Sequence, residues 1–188
     1  MASSVSICSN ALVMLGGLPF SSFDEPKPHV RAAAVLYNSV RDDVLRAHPW
    51  NCAIKRDLLA PMATVPAFGF NYQFQLPGDW LRNIQVGYDG CPLTFRTEGQ
   101  RLLADVTVLP LVYVYRNYDE DSWSTNLIHL MELAMAAALC YTVTASTSLR
   151  DSMRQEFGQA LKVAKAVDGQ DDPPEEFGAG TFVESRFS

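Results

Sequence analysis

The chain has 188 residues, 48% of them hydrophobic and 19% charged, with a formal net charge of −6. A chain of this length buries about 70% of the surface its unfolded form exposes, and 10 Phe, 7 Tyr and 3 Trp supply bulk for a core, so neither disorder nor a disulfide scaffold describes it. With 21 carboxylates against 15 Lys and Arg, it lacks the basic footprint that tight binding to a nucleic-acid backbone requires.

The first predicted element is a short helix from Val5 to Gly16, with Ile7, Ala11, Leu12, Met14 and Leu15 near helical spacing and Ser3 and Ser4 as N-caps. No Lys or Arg precedes its apolar stretch, so it does not read as a secretory signal. After the connector Phe23 to Pro28, a second helix over 30–47 sets Val30, Ala33, Ala34, Tyr37, Val40, Val44 and Leu45 on one stripe, opposite Arg31, Asn38, Arg41 and Asp42. Pro49 ends it.

Between Trp50 and Asn117 the period falls to two. Phe68, Phe70, Tyr72, Phe74 and Leu76 alternate with Gly69, Asn71, Gln73 and Gln75, which predicts a strand with one buried face. Ile84, Val86 and Tyr88 run into Asp89-Gly90, a hairpin signal, with Leu93 and Phe95 returning. Glu98-Gly99 predicts the next turn. Val106 to Tyr115 is apolar on both faces and fits a central strand, with Pro110 calling for a bulge or break.

Helical period resumes beyond Asp119-Glu120-Asp121-Ser122, a cluster suited to the positive end of a helix dipole. The helix over 123–146 is apolar nearly all round and should be the central one; its apolar run, Leu133 to Val143, is too short to span a bilayer. A last amphipathic helix over 149–167 carries Leu149, Met153, Phe157, Ala160, Leu161, Ala164 and Val167 on one stripe. The remaining tail is rich in Pro, Gly and acids yet holds Phe177, Phe182, Val183, Arg186 and Phe187, anchors of the kind that dock on a partner.

The expected fold is therefore α+β: a bundle of about four helices (1–50 and 118–168), a small, mostly antiparallel β-sheet region (51–117) inserted between helices 2 and 3, and an extended C-terminal arm (169–188). Trp50 is expected to be buried where bundle and sheet meet.

Catalytic signatures are missing: there is no GxSxG, HExxH, P-loop or GxGxxG behind a strand. Cys8, Cys52, Cys91 and Cys140 are scattered and read as reduced thiols. His48 at a helix end, His129 on the apolar helix and His29 in the connector have structural explanations. Asp119, Glu120 and Asp121 have no nucleophile or oxyanion donor to work with. No cofactor or metal is expected, and the chain does not read as an enzyme.

Read in order, several segments form a recognisable series: Ala11-Leu12-Val13-Met14-Leu15-Gly16 with Leu18-Pro19; His48-Pro49-Trp50-Asn51-Cys52-Ala53; Leu58-Leu59-Ala60; Phe68 to Arg82, containing Phe74-Gln75-Leu76-Pro77-Gly78-Asp79-Trp80-Leu81-Arg82; and Tyr113-Val114-Tyr115-Arg116. Over Ser6 to Ser146 the chain resembles the tail tubular protein A family, the head-to-tail adaptors of short-tailed phages, and Phe182 to Arg186 resembles that family's ending. Cys52 stands where the family usually has an aromatic, Phe74 where it has Tyr, and Trp80 where a smaller residue is common. The resemblance implies a virion protein at the head–tail junction. It would form a homo-oligomeric ring, usually of twelve copies, beneath the portal protein, bind the tail nozzle protein and tail fibres or spikes, and let genomic DNA pass without sequence-specific binding. Phe177, Phe182, Val183, Arg186 and Phe187 would form the arm that docks on the portal or a neighbouring subunit. Two other readings remain: a small monomeric module, host-directed or regulatory, that binds a peptide along a sheet edge, and a hydrolase using Asp119, Glu120 or Asp121.

Overall fold

In a computed structural model, which describes residues 2–91 and 93–171, helical segments flank an inserted β region as their changing period implies. Helix α1 (Ser4–Met14) starts at a reciprocal cap, Ser3 Oγ accepting from the Ser6 amide while the Ser6 hydroxyl accepts from the Ser3 amide. Helix α2 (Pro28–Arg46) starts earlier than its periodicity suggests. Pro28 occupies its first turn, where a missing N–H costs nothing, so His29 belongs to the helix and not to the connector. Helices α3 (Thr125–Thr144) and α4 (Thr147–Asp168) complete the bundle.

Helix α3 packs against the other three helices. Its length and apolarity would suffice to cross a bilayer, but here it occupies the centre of the bundle and half of it is buried. Leu127, Leu130, Met131, Met135, Ala136 and Leu139 of α3 meet Ile7 and Leu12 of α1, Val30 and Leu45 of α2 and Met153 of α4. One expected polar position is reversed: Arg41 of α2 is only 3% exposed, for a reason found at the seam with the sheets.

The β region forms two three-stranded sheets, antiparallel throughout. The first has the order β1-β6-β3, from β1 (Ile54–Leu59), β6 (Leu109–Tyr115) and β3 (Trp80–Val86). The second has the order β2-β5-β4, from β2 (Tyr72–Gln75), β5 (Arg101–Ala104) and β4 (Phe95–Glu98). Between them lies a second core in which Phe74, Leu102 and Ala104 face Leu109, Leu111 and Tyr113.

Strand β6 is central, and its apolarity on both faces has a specific cause. Leu109, Leu111 and Tyr113 face the second sheet, while Val114 reaches the bundle core together with Leu81. Pro110 brings neither bulge nor break, because it pairs in register with Leu58; the bulges fall on β3, at Leu81 and Ile84.

Three local expectations are corrected. The Asp89-Gly90 signal makes a turn but no hairpin: β3 stays on β6, and β4 pairs instead with β5 across the two-residue loop Gly99-Gln100. Gly99 adopts φ +58° there, which its lack of a Cβ permits, so the tighter loop takes the strand. The strand expected from Phe68 begins only at Tyr72, since Gly69 turns at φ +88° and leaves Phe68 89% exposed. Gln73, expected on a solvent face, is buried under the preceding loop, where its amide donates to the Thr64 carbonyl (2.7 Å) and hydroxyl (2.8 Å).

Trp50 has no exposed surface, and its indole N–H donates to the Val44 carbonyl at 2.9 Å. Trp50→Ala should cost about 3–5 kcal/mol in chemical denaturation, as for other buried large aromatics. Helix α3 ends on Ala145 in the left-handed conformation (φ 54°, ψ 16°), a strained geometry for any residue with a Cβ. Ala145→Gly should therefore raise stability by about 0.5–1 kcal/mol in the same assay.

Candidate functional site

Parts of three of the segments singled out in the sequence meet at the seam between bundle and sheets: His48 to Ala53, Asp79 to Arg82, and Tyr113 to Arg116. The chain leaves the bundle at His48-Pro49-Trp50-Asn51. There the His48 ring meets the Trp50 ring edge-on at 4.7 Å. The Asn51 amide donates to the Asp168 carboxylate at 3.3 Å and its side-chain amide to the Asp168 carbonyl at 2.9 Å, which ties the end of α4 to the exit point. The chain returns through Arg116-Asn117. The buried Asn117 amide donates to the Cys52 carbonyl at 2.7 Å and to the Ser122 hydroxyl at 2.8 Å, so the outgoing and returning strands are joined to each other.

A charged cluster beside these crossings fixes the sheet on α2. Asp42 uses both oxygens: Oδ1 accepts from Arg41 at 2.8 and 3.1 Å, and Oδ2 accepts from Arg116 Nε at 2.7 Å. Arg41 also donates to Asn38 Oδ1 at 3.0 Å, and its guanidinium lies 4.5 Å from the centre of the Tyr118 ring. These partners are why an arginine can be buried on α2. Within the sheet, Asp79 accepts from Lys55 Nζ (2.6 Å) and the Tyr113 hydroxyl (3.1 Å), while its carbonyl accepts from the Arg116 amide (2.7 Å). Lys55 also lies 4.1 Å from the centre of the Tyr115 ring.

The electrostatics follow from these partners. Burial pushes the Asp79 pKa up, but the bonds from Lys55 and Tyr113 outweigh it and hold the group below the ordinary carboxylate value. Burial raises the Tyr113 phenol, and the Asp79 acceptor raises it further. For His48 burial lowers the pKa, opposed by Asp168 at 3.3 Å and assisted by Lys165 and Arg82; the net direction is downward, towards the neutral ring.

The acids expected at the start of α3 lie elsewhere. Glu120 and Asp121 belong to a 3₁₀ turn (Glu120–Ser122), and the cap of α3 is Ser124, whose hydroxyl accepts from the Leu127 amide at 3.3 Å. The Glu120 carboxylate is engaged by the Tyr37 hydroxyl at 2.8 Å, and the Asp119 amide is held by Asn117 Oδ1. Asp121 stands exposed. His129 is paired loosely with Glu132, and the four cysteines are free thiols. Burial pushes the Cys8 thiol up to about 12 and Cys52 up to about 11, away from the reactive thiolate. Among the described residues no group of three or more His, Cys, Asp or Glu is placed to hold a metal ion.

No protein-family model matches the chain, and no curated protein matches it either. The seam therefore stands on its own geometry. Its role was partly hidden in the sequence: Asp42, Arg41, Asn117 and Asp168 belong to no motif, and the pairs Asp42–Arg116, Asn117–Cys52 and Asp168–Asn51 are distant in the chain. The expected docking residues Phe177, Phe182, Val183, Arg186 and Phe187 lie outside the described residues.

Asp42→Ala removes the acceptor of two of the buried Arg41's three side-chain hydrogen bonds, leaving only Asn38, and also the acceptor of Arg116; it should cost about 2–3 kcal/mol by urea denaturation, a discounted value for a pair that is only partly buried. Arg116→Ala, which leaves Arg41 satisfied, should cost less. His48 supplies a pH test. Because its folded pKa is depressed, the unfolded chain binds the extra proton, so its contribution is present above about pH 6.5 and is lost as pH falls through the folded value. His48→Gln should accordingly flatten the decline in stability between about pH 7 and pH 5; an unchanged slope would place the titrating group elsewhere.

Proposed function

We propose that this chain is a structural virion protein, a head-to-tail adaptor of the tail tubular protein A kind, which assembles as a ring beneath the portal of a short-tailed phage. What supports this reading is one observation above the rest: five residues of the recognisable segments, Trp50, Asn51, Asp79, Tyr113 and Arg116, take part in joining the two layers. Such a seam suits a subunit that must transmit load between assembly partners as a rigid piece. It offers no nucleophile with a base, and the side chains of Asp42, Asn51, Asp79, Arg116 and Asn117 already have structural partners.

The acidic balance suits the same role. Each copy carries a formal charge of −6, and any share of that facing a central channel repels DNA phosphates and keeps the genome free to move. In this proposal the ring continues the DNA channel from the portal, carries the nozzle and the fibres or spikes, and docks through Phe177, Phe182, Val183, Arg186 and Phe187.

A second reading has one observation in its favour. Among the described residues strand β1 pairs only with β6, and Lys55, Arg56, Asp57 and Leu58 are exposed along it, an edge to which an extended peptide could add. Assembly state separates the two. Negative-stain images of the protein mixed with its portal should show an added ring, whereas a peptide-binding module would leave the portal bare. Deleting residues 181–188 should leave the melting temperature of the free subunit nearly unchanged and abolish co-sedimentation with portal rings. Normal portal binding by the truncated protein would remove the docking arm from the account.

A further inference from the structure

Two exposed features of the sheet region are used neither by the cores nor by the seam. The first is a knob. Phe68, at 89% exposure in the loop before β2, stands at a hollow of about 490 Å³ that Arg96 and Glu98 of β4 and Arg101 of β5 also line. The second is a groove of about 660 Å³ on the face of the first sheet turned away from the second. Pro110, Leu111 and Val112 of β6 line it together with Gln85 of β3. Leu58 and Tyr88, 64% and 67% exposed, border it, and Arg56, Asp57 and Asp89 ring it.

The charges around the two features are opposite in pattern. The knob carries two arginines and one glutamate, and the groove carries two aspartates and one arginine. All six groups are exposed; within the chain Arg96 lies 4.0 Å from Glu98 and Arg101 donates to Gln73 Oε1 at 3.2 Å, contacts loose enough for a facing carboxylate to compete with. An isolated Phe at this exposure is ordinary, but one surrounded by a charge set complementary to that of an apolar groove on the same chain is the pattern of a self-interface. The two features share no lining residue. Each copy thus offers one knob and one groove, and copies joined by them meet head to tail, the arrangement that generates a ring where the rotation closes and a filament where it does not.

We infer that neighbouring copies of this chain dock head to tail, with Phe68 of one copy seated in the Leu58, Tyr88, Pro110 and Val112 groove of the next and Arg96 and Arg101 facing Asp57 and Asp89. The inference rests on the ring-adaptor reading and supplies the subunit contact that reading leaves open. Phe68 is the energetic centre of the contact, as a buried aromatic anchor usually is.

The test is sedimentation velocity on the full-length protein over a range of concentrations up to about 1 mM, a level at which even contacts of millimolar affinity are visible. The parent should grow beyond the dimer as concentration rises. Phe68→Ser, which removes the knob, and Tyr88→Lys, which sets a cation in the groove facing the arginines, should each weaken association at least about tenfold. An equimolar mixture of the two retains one working knob and one working groove, and should give dimers and nothing larger. Both side chains are exposed, so melting temperatures should match the parent. If either variant fails to fold, Arg96→Glu with Arg101→Glu gives the same readout, with association restored by a partner carrying Asp57→Lys and Asp89→Lys. Association of Phe68→Ser equal to that of the parent, or a parent that stays monomeric throughout, overturns the inference. Rings formed on the portal by Phe68→Ser would overturn it too while leaving the adaptor reading intact; failure of the parent to bind portal at all would overturn the adaptor reading separately.

Discussion

The carboxylate of Asp42 holds the arrangement together. It sits on α2, receives Arg41 from its own helix on one oxygen, and receives Arg116 from the end of β6 on the other. An insertion such as residues 51–117 is tethered by two peptide crossings alone unless side chains fix its orientation, and inter-domain motion is the ordinary outcome of such tethering. Asp42 supplies a fixed point at the returning crossing, while Asn51 with Asp168 fixes the outgoing one and Asn117 with Cys52 joins the two. The burial of Arg41 makes this arrangement sensitive: a guanidinium taken out of water is tolerable only while its acceptors remain.

The two cores are coupled through the same strand. Tyr113 belongs to the core between the sheets, and its neighbour Val114 belongs to the core of the bundle. Asp79 then binds Tyr113 by its side chain and Arg116 by its carbonyl, so the loop before β3 is locked to both ends of this transition. A displacement of β6 therefore disturbs packing in both layers at once, and close-packed interiors transmit such displacements and do not absorb them. This is the mechanical property a ring subunit between two partners requires.

Much of this was readable in the sequence, and the part that was not has a physical reason. The four helices and the all-antiparallel β region follow from periods of 3.6 and 2, and Trp50 could be placed because Pro49 ends a helix just before it. Strand β1 escaped, because Lys55-Arg56-Asp57 breaks the alternation on an edge strand that is mostly exposed. Pairing also escaped. A turn signal such as Asp89-Gly90 is local, whereas the choice of partner depends on competition with Gly99-Gln100 and with β6, which lies more than twenty residues further along the chain. The seam was the least legible part, since Asp42 meets Arg116 across 74 residues and Asn51 meets Asp168 across 117. In sequence each of these looks like an ordinary surface charge or amide.

The adaptor proposal needs the bundle and the sheets to behave as one body, because a hinged subunit would transmit neither portal contacts nor ring contacts faithfully. Scanning calorimetry of the parent protein tests that requirement most directly. The account predicts a single transition in which the van't Hoff and calorimetric enthalpies agree, as expected when two cores share β6 and a common clasp. Two separate transitions, with the sheet region melting while the bundle persists, would contradict it.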